Sequence, residues 1–155
     1  MTSTLHLYRQ QADAFRAGKL RQYRVPVTPQ PLTFAAASGD LFDDTDKVAV
    51  DLFKWPPESE ELLSQKRFNQ ACPFGRASSQ VELVECLPYN KKQSLGYATV
   101  KAVSVARLKG ITDAEIVMEG YPNWTQYAYA WNEHYARLGS PWDIDPYVWV
   151  VEFSP

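Results

Sequence analysis

Between residues 97 and 110 the chain reads YATVKAVSVARLKG, an alternation of apolar and polar positions that an extended strand repeats and a helix does not. Val100, Ala102, Ser104 and Ala106 fall on one face; Thr99, Lys101, Val103, Val105 and Arg107 fall on the other. The run is longer than an ordinary strand, so a bulge or bend is expected within it. VELVECL (81–87) is rich in Val and Leu and predicts a second strand. DPYVWVVEF predicts a third, starting just after Pro146.

A period near 3.6 takes over in NWTQYAYAWNEHYARLG. Trp124, Tyr127, Ala128, Trp131, Tyr135 and Leu138 share a face there, which predicts an amphipathic helix closed by Gly139 with its aromatic stripe in the core. Trp142 and Trp149 are expected to pack on that stripe or to cap a barrel. ITDAEIVMEG carries a capping-box pattern: Thr112 accepts from the Glu115 amide while the Glu115 side chain reaches back, and Gly120 ends the short helix. A first helix is predicted over 4–17, with Leu7, Gln11, Ala14 and Phe15 on one face and Gly18 as its stop. Beyond it Pro26, Pro29 and Pro31 favour an extended path. Residues 32–46 read as a loop with a short apolar segment, KVAVDLFKW as a strand, and PPESEELLSQKRFNQ as a short helix after its prolines. Short helices among long strands predict an α+β fold: a small β-barrel with flanking helices, in a single domain over 1–155.

Composition narrows the class. With 155 residues, 45% hydrophobic and 14% aromatic, the chain can bury one core and is not globally disordered. No apolar run approaches the length of a membrane span, and charges stand where a signal peptide needs its apolar stretch, so a cytoplasmic location is expected. Cys72 and Cys86 fit a reducing compartment; without CxxC or His/Cys spacing, neither metal nor cofactor is expected.

The net charge of −2 does not announce a nucleic-acid binder, but its distribution is uneven. Residues 9–24 hold Arg9, Arg16, Lys19, Arg21 and Arg24 against Asp13 alone. Residues 40–61 hold Asp40, Asp43, Asp44, Asp46, Asp51, Glu58, Glu60 and Glu61 against Lys47 and Lys54. A basic face and an acidic loop thus share one small domain, and two solvated surfaces would account for both.

Two segments resemble a known family. VARLKGITDAEIVMEGY, followed by WNEHYARLGSPWDIDPYVWVVEF, is similar to the C-terminal half of the ASCH domain, especially its phage and prophage members. CPFGRASSQVELVEC resembles that family's CPYG-x-x-GD-x-LWVRE, and TPQP (28–31) its KPQP. The likeness is strong over 105–153 and weak over 32–70, which reads as a divergent insertion or loop region. The resemblance implies a PUA-like barrel with a cleft beside the first helix, and partners among RNA, single-stranded nucleic acid or modified nucleotides. Some members are amidohydrolases of N4-acylated cytidines and others ribonucleases. The hydrolases use a Lys and a Thr from G-x-K-T-x-T-x-R after the first helix, and a Glu on a later strand.

This chain departs from that motif. Aligned on TPQP, Leu20 stands at the Lys, Arg21 at the first Thr, Tyr23 at the second and Arg24 at the Arg; a slip of one restores Lys19 at the Lys but loses the Thr. Glu85 falls at the Glu. Amide hydrolysis needs a base and a cation facing the oxyanion, and Glu85 and Lys19 are the candidate catalytic residues for these roles. No hydroxyl is placed as nucleophile, so recognition is expected ahead of catalysis. A structural ion pair between Glu85 and Arg24 accounts for that carboxylate equally well.

For recognition, Lys19, Arg21 and Arg24 at the cleft mouth would contact phosphates and Tyr23 would stack a base. The rival reading is a host-directed protein–protein interaction factor using the acidic 40–61 segment; amidohydrolase or ribonuclease activity is the third. His6 and His134 read as ordinary surface or satisfied histidines, and Asp143 and Asp145 as turn formers before Pro146.

Overall fold

A computed structural model describes residues 3–27, 33–34, 53–54 and 78–154, the two short pieces as backbone alone. In chain order the elements are strand β1 (Ser3–Leu7), helix α1 (Arg9–Arg16), strand β2 (Gln22–Pro26), the two-residue strands β3 (Thr33–Phe34) and β4 (Phe53–Lys54), strands β5 (Gln80–Leu87) and β6 (Lys91–Arg107), helices α2 (Asp113–Met118) and α3 (Trp124–Tyr135), and strand β7 (Tyr147–Ser154).

Five of the strands form one curled, mixed sheet in the order β1-β5-β6-β7-β2, a half-barrel with helices packed on it. β1 runs parallel to β5, and every other neighbour is antiparallel. The two edges of the curl approach one another, because the Tyr23 hydroxyl on β2 donates to the His6 carbonyl on β1 at 3.2 Å. The α+β barrel-like class expected from the alternating strands and short helices is what the chain forms.

β6 extends over 17 residues and contains the expected irregularity. Its register against β7 slips between Val100 and Ala102, so the inward phase changes. Ala98 and Val100 are buried before the slip, and Val103 and Val105 pack on the same core after it. β5 and β6 are joined at Pro88–Lys91 by a tight turn with Tyr89 and Asn90 both at positive φ, 61° and 59°, the pattern of a type I′ hairpin turn.

β7 is buried on both faces. Trp149, Val151 and Phe153 enter a core with Leu5, Leu7 and Leu83, while Val148 and Val150 enter a second core with Ile116, Tyr127 and Trp131. The α3 stripe is therefore core only through its middle. Trp124 and Leu138, at its ends, are 57% and 75% exposed, which corrects the expectation of a stripe buried throughout.

The predicted helix over 4–17 is also corrected. Residues 3–7 are strand, because Leu5 and Leu7 alternate with Thr4 and His6 and pair with β5, wholly buried; helix begins only at Arg9. The expected strand and helix over 47–70, TPQP, the acidic segment 40–61 and Cys72 lie outside the described residues, apart from the backbone of β3 and β4.

Candidate functional site

The basic stretch after α1 divides by strand geometry. Gly18 takes φ +72° where α1 ends, and the chain turns back with the Lys19 amide bonded to the Ala14 carbonyl at 2.8 Å. Arg21 is tied at both backbone groups: its N–H donates to Met118 O at 2.9 Å, and its carbonyl accepts from the Phe153 N–H at 3.0 Å. Both side chains are exposed. They line a groove of about 540 Å³ between α1 and the end of α2, floored by Val117, Met118, Tyr121 and Pro122. Lys19 and Arg21 are thus brought together.

Tyr23 and Arg24 are not at a cleft mouth, because β2 turns them into the molecule. Tyr23 is 5% exposed, and burial holds its phenol well above the ordinary pKa, so no face is offered for stacking. Arg24, on the opposite face, is 4% exposed. Its Nη1 donates to Gln22 Oε1 at 2.9 Å and to Glu119, and its Nη2 to Glu115 Oε2 at 2.9 Å. The Tyr127 hydroxyl donates to the other Glu119 oxygen at 3.0 Å. Burial raises the Glu119 carboxyl above its usual value, against the pull of Arg24. Glu115 also closes the capping box with Thr112, as its spacing foretold. There burial raises the carboxyl, and the bonds from Thr112 and Arg24 outweigh it and leave the pKa lowered.

Glu85 does carry an ion pair, but with Arg16 rather than Arg24. The strand order explains the difference: β6 and β7 lie between β5 and β2, whereas α1 follows β1, the parallel neighbour of β5. Glu85 is not among the residues lining the Lys19–Arg21 groove, so the two candidate catalytic side chains do not share that site. Nearby, Cys86 Sγ lies 4.0 Å from His6 Nδ1, and burial pushes its thiol pKa up, contrary to what an activated nucleophile requires.

Sequence reasoning missed a second cleft, of about 570 Å³, between the start of α1 and the exposed side of α3. Tyr8, Gln10, Tyr121, Gln126, Tyr129 and His134 line it. Tyr8 and His134 stack almost parallel, with centroids 3.3 Å apart, and Gln10 Nε2 donates to Gln126 Oε1 at 3.4 Å. Burial lowers the His134 pKa, which keeps the ring neutral near pH 7. Behind the stack lies a chamber of about 20 Å³ reaching Arg24, Glu119, Tyr127 and Tyr135. Tyr121 lines the groove, the cleft and the chamber alike. Only the 3.6-residue period of α3 pointed here, and it directed attention to the buried face rather than to Gln126, Tyr129 and His134.

The arrangement offers cations in one groove, and ring faces and side-chain amides in the adjoining cleft. Among the described residues, no group of three or more His, Cys, Asp or Glu side chains is placed to hold a metal ion, and no helix is long and apolar enough to cross a membrane. Comparison of the chain with protein-family models, curated proteins and solved structures gave no match.

Proposed function

We propose that this chain is a recognition module for single-stranded nucleic acid or its nucleotides, RNA first among them, built on an ASCH-type, PUA-like barrel whose hydrolase motif is incomplete. One observation carries the reading: the cationic groove and the aromatic cleft adjoin at Tyr121. Lys19 and Arg21 supply phosphate contacts, and Tyr8, Tyr129 and His134 supply ring faces on which a base stacks. Gln10 and Gln126 present amide donors and acceptors to a base edge. A half-barrel with helices packed on it is compatible with the small barrel that the resemblance implies, and to that extent supports it. Recognition is preferred over hydrolysis because Glu85 is engaged by Arg16 and lies outside the groove lining.

The test is binding of the purified protein to labelled oligouridine across a salt series. Saturable binding that weakens with salt is expected. Each phosphate contact to a single strand contributes about 0.7 to the slope of log K against log salt, so Lys19→Gln/Arg21→Gln should flatten it by about 1.4 and weaken binding roughly twentyfold near 0.1 M salt. Unchanged binding by that double variant would overturn the assignment of the groove.

A further inference from the structure

The chamber beside the Tyr8–His134 stack is lined by a buried donor group, the Arg24 guanidinium. Arg24 lines it, is 4% exposed, and its Nε–H has no hydrogen-bond partner among the described residues. A buried arginine donor in that state is costly, and a guanidinium can only donate. The neighbouring carboxylate is already engaged at both oxygens: one Glu119 oxygen accepts from Arg24 Nη1 and the other from the Tyr127 hydroxyl. A volume of about 20 Å³ admits a single small group and nothing the size of a ring. Tyr8, Tyr121 and His134 line the chamber and the outer cleft together, so the two cavities adjoin at these rings.

We propose that the chamber is an exocyclic-oxygen subsite. It selects bases carrying a keto oxygen (guanine, hypoxanthine, uracil) over those carrying an amino group at the equivalent position (adenine, cytosine). This rests on the preceding reading of the outer cleft as the place where a base stacks. The keto oxygen accepts from Arg24 Nε–H, whereas an amino group would set donor against donor and leave Arg24 unpaired.

Inosine and adenosine differ only along one edge, O6 and N1–H against the N6 amino group and bare N1, and stack almost alike, so they form the deciding pair. Affinities of the purified protein would be measured for inosine and adenosine monophosphates, for uridine and cytidine monophosphates, and for eight-nucleotide strands with each base at the centre. Keto ligands should bind roughly tenfold tighter than their amino counterparts, as expected for a hydrogen bond to a charged group. Preference among the free nucleotides would mark nucleotides as the ligand; preference only in the strands would mark nucleic acid. Arg24→Lys, checked for folding by thermal melting, should erase the preference, and the wild-type series decides the matter if that variant does not fold. Equal binding of keto and amino ligands overturns the subsite and leaves the outer cleft standing. No binding of any of them overturns both.

Discussion

At the scale of single residues, Arg24 shows how placement overrides residue type. In the sequence it is one of five cations in a basic run; in the fold it is buried and held by Glu115, Glu119 and Gln22. Strand alternation separates Tyr23 from Arg24, but nothing local reveals that α2 covers the arginine, because Glu119 stands 95 positions away. The Thr112–Glu115 capping box was legible for the converse reason, since both partners sit within one turn. Buried ion pairs add little net stability, yet removing one partner strands the other charge. Glu119→Ala should therefore lower unfolding stability by about 3–5 kcal/mol, measured by urea denaturation. Arg24→Met/Glu119→Met should recover most of that loss, and a double variant no more stable than the single would show that the ion pair itself holds α2 down.

Between elements, the walls of the groove meet at Gly120. Its φ is +96°, and a Cβ there would lie 3.0 Å from the Gln10 carbonyl and 3.2 Å from Ala14 Cβ. Both neighbours belong to α1, so contact between α1 and the end of α2 depends on the missing side chain. Gly120→Ala should cost more than about 1 kcal/mol of stability and weaken oligouridine binding by parting the groove walls. Thermal melting and the binding assay check the two effects, and Gly110→Ala, with nothing within 4 Å, is the control. β6 was legible because its alternation extends over many residues, and β5 and β7 because β-branched and aromatic residues crowd VELVECL and YVWVVEF. β1 was not, because over so short a stretch Leu7 and Gln11 also satisfy a helical spacing, and burial against β5 decided the outcome. The α3 stripe was over-read at its ends, where Trp124 and Leu138 stay exposed.

For the whole molecule, acid is the natural probe. Burial lowers the pKa of His6, with Lys92 adding to the effect, and of His134. An unfolded histidine takes up its proton near 6.5, whereas these two resist it in the fold. Stability is therefore complete above about pH 6.5 and falls as the pH drops toward the lowered folded values. Between pH 7.5 and 5 the two histidines should pull the denaturation midpoint down, opposed by the raised Glu119 carboxyl, and His134→Gln should lessen the downward pull. A profile unaltered by that substitution would remove His134 as a contributor. At this scale the sequence yielded the class and the helix-flanked sheet. Strand order depends on pairings between distant segments, such as Ser3 with Val81, and is carried by no local pattern.

That same parallel pairing has a consequence for the order in which the molecule assembles. The β5–β6 hairpin closes through a tight turn and joins partners that are near neighbours along the chain, so its loop-closure cost is small. β1 must cross a far longer stretch before its pairing with β5 is rewarded. Tyr8 and Gln10 at the start of α1, and Lys19 just after it, travel with β1. In that order the β5–β6 hairpin precedes the pairing of β1, and the α1 wall of the cleft arrives with β1.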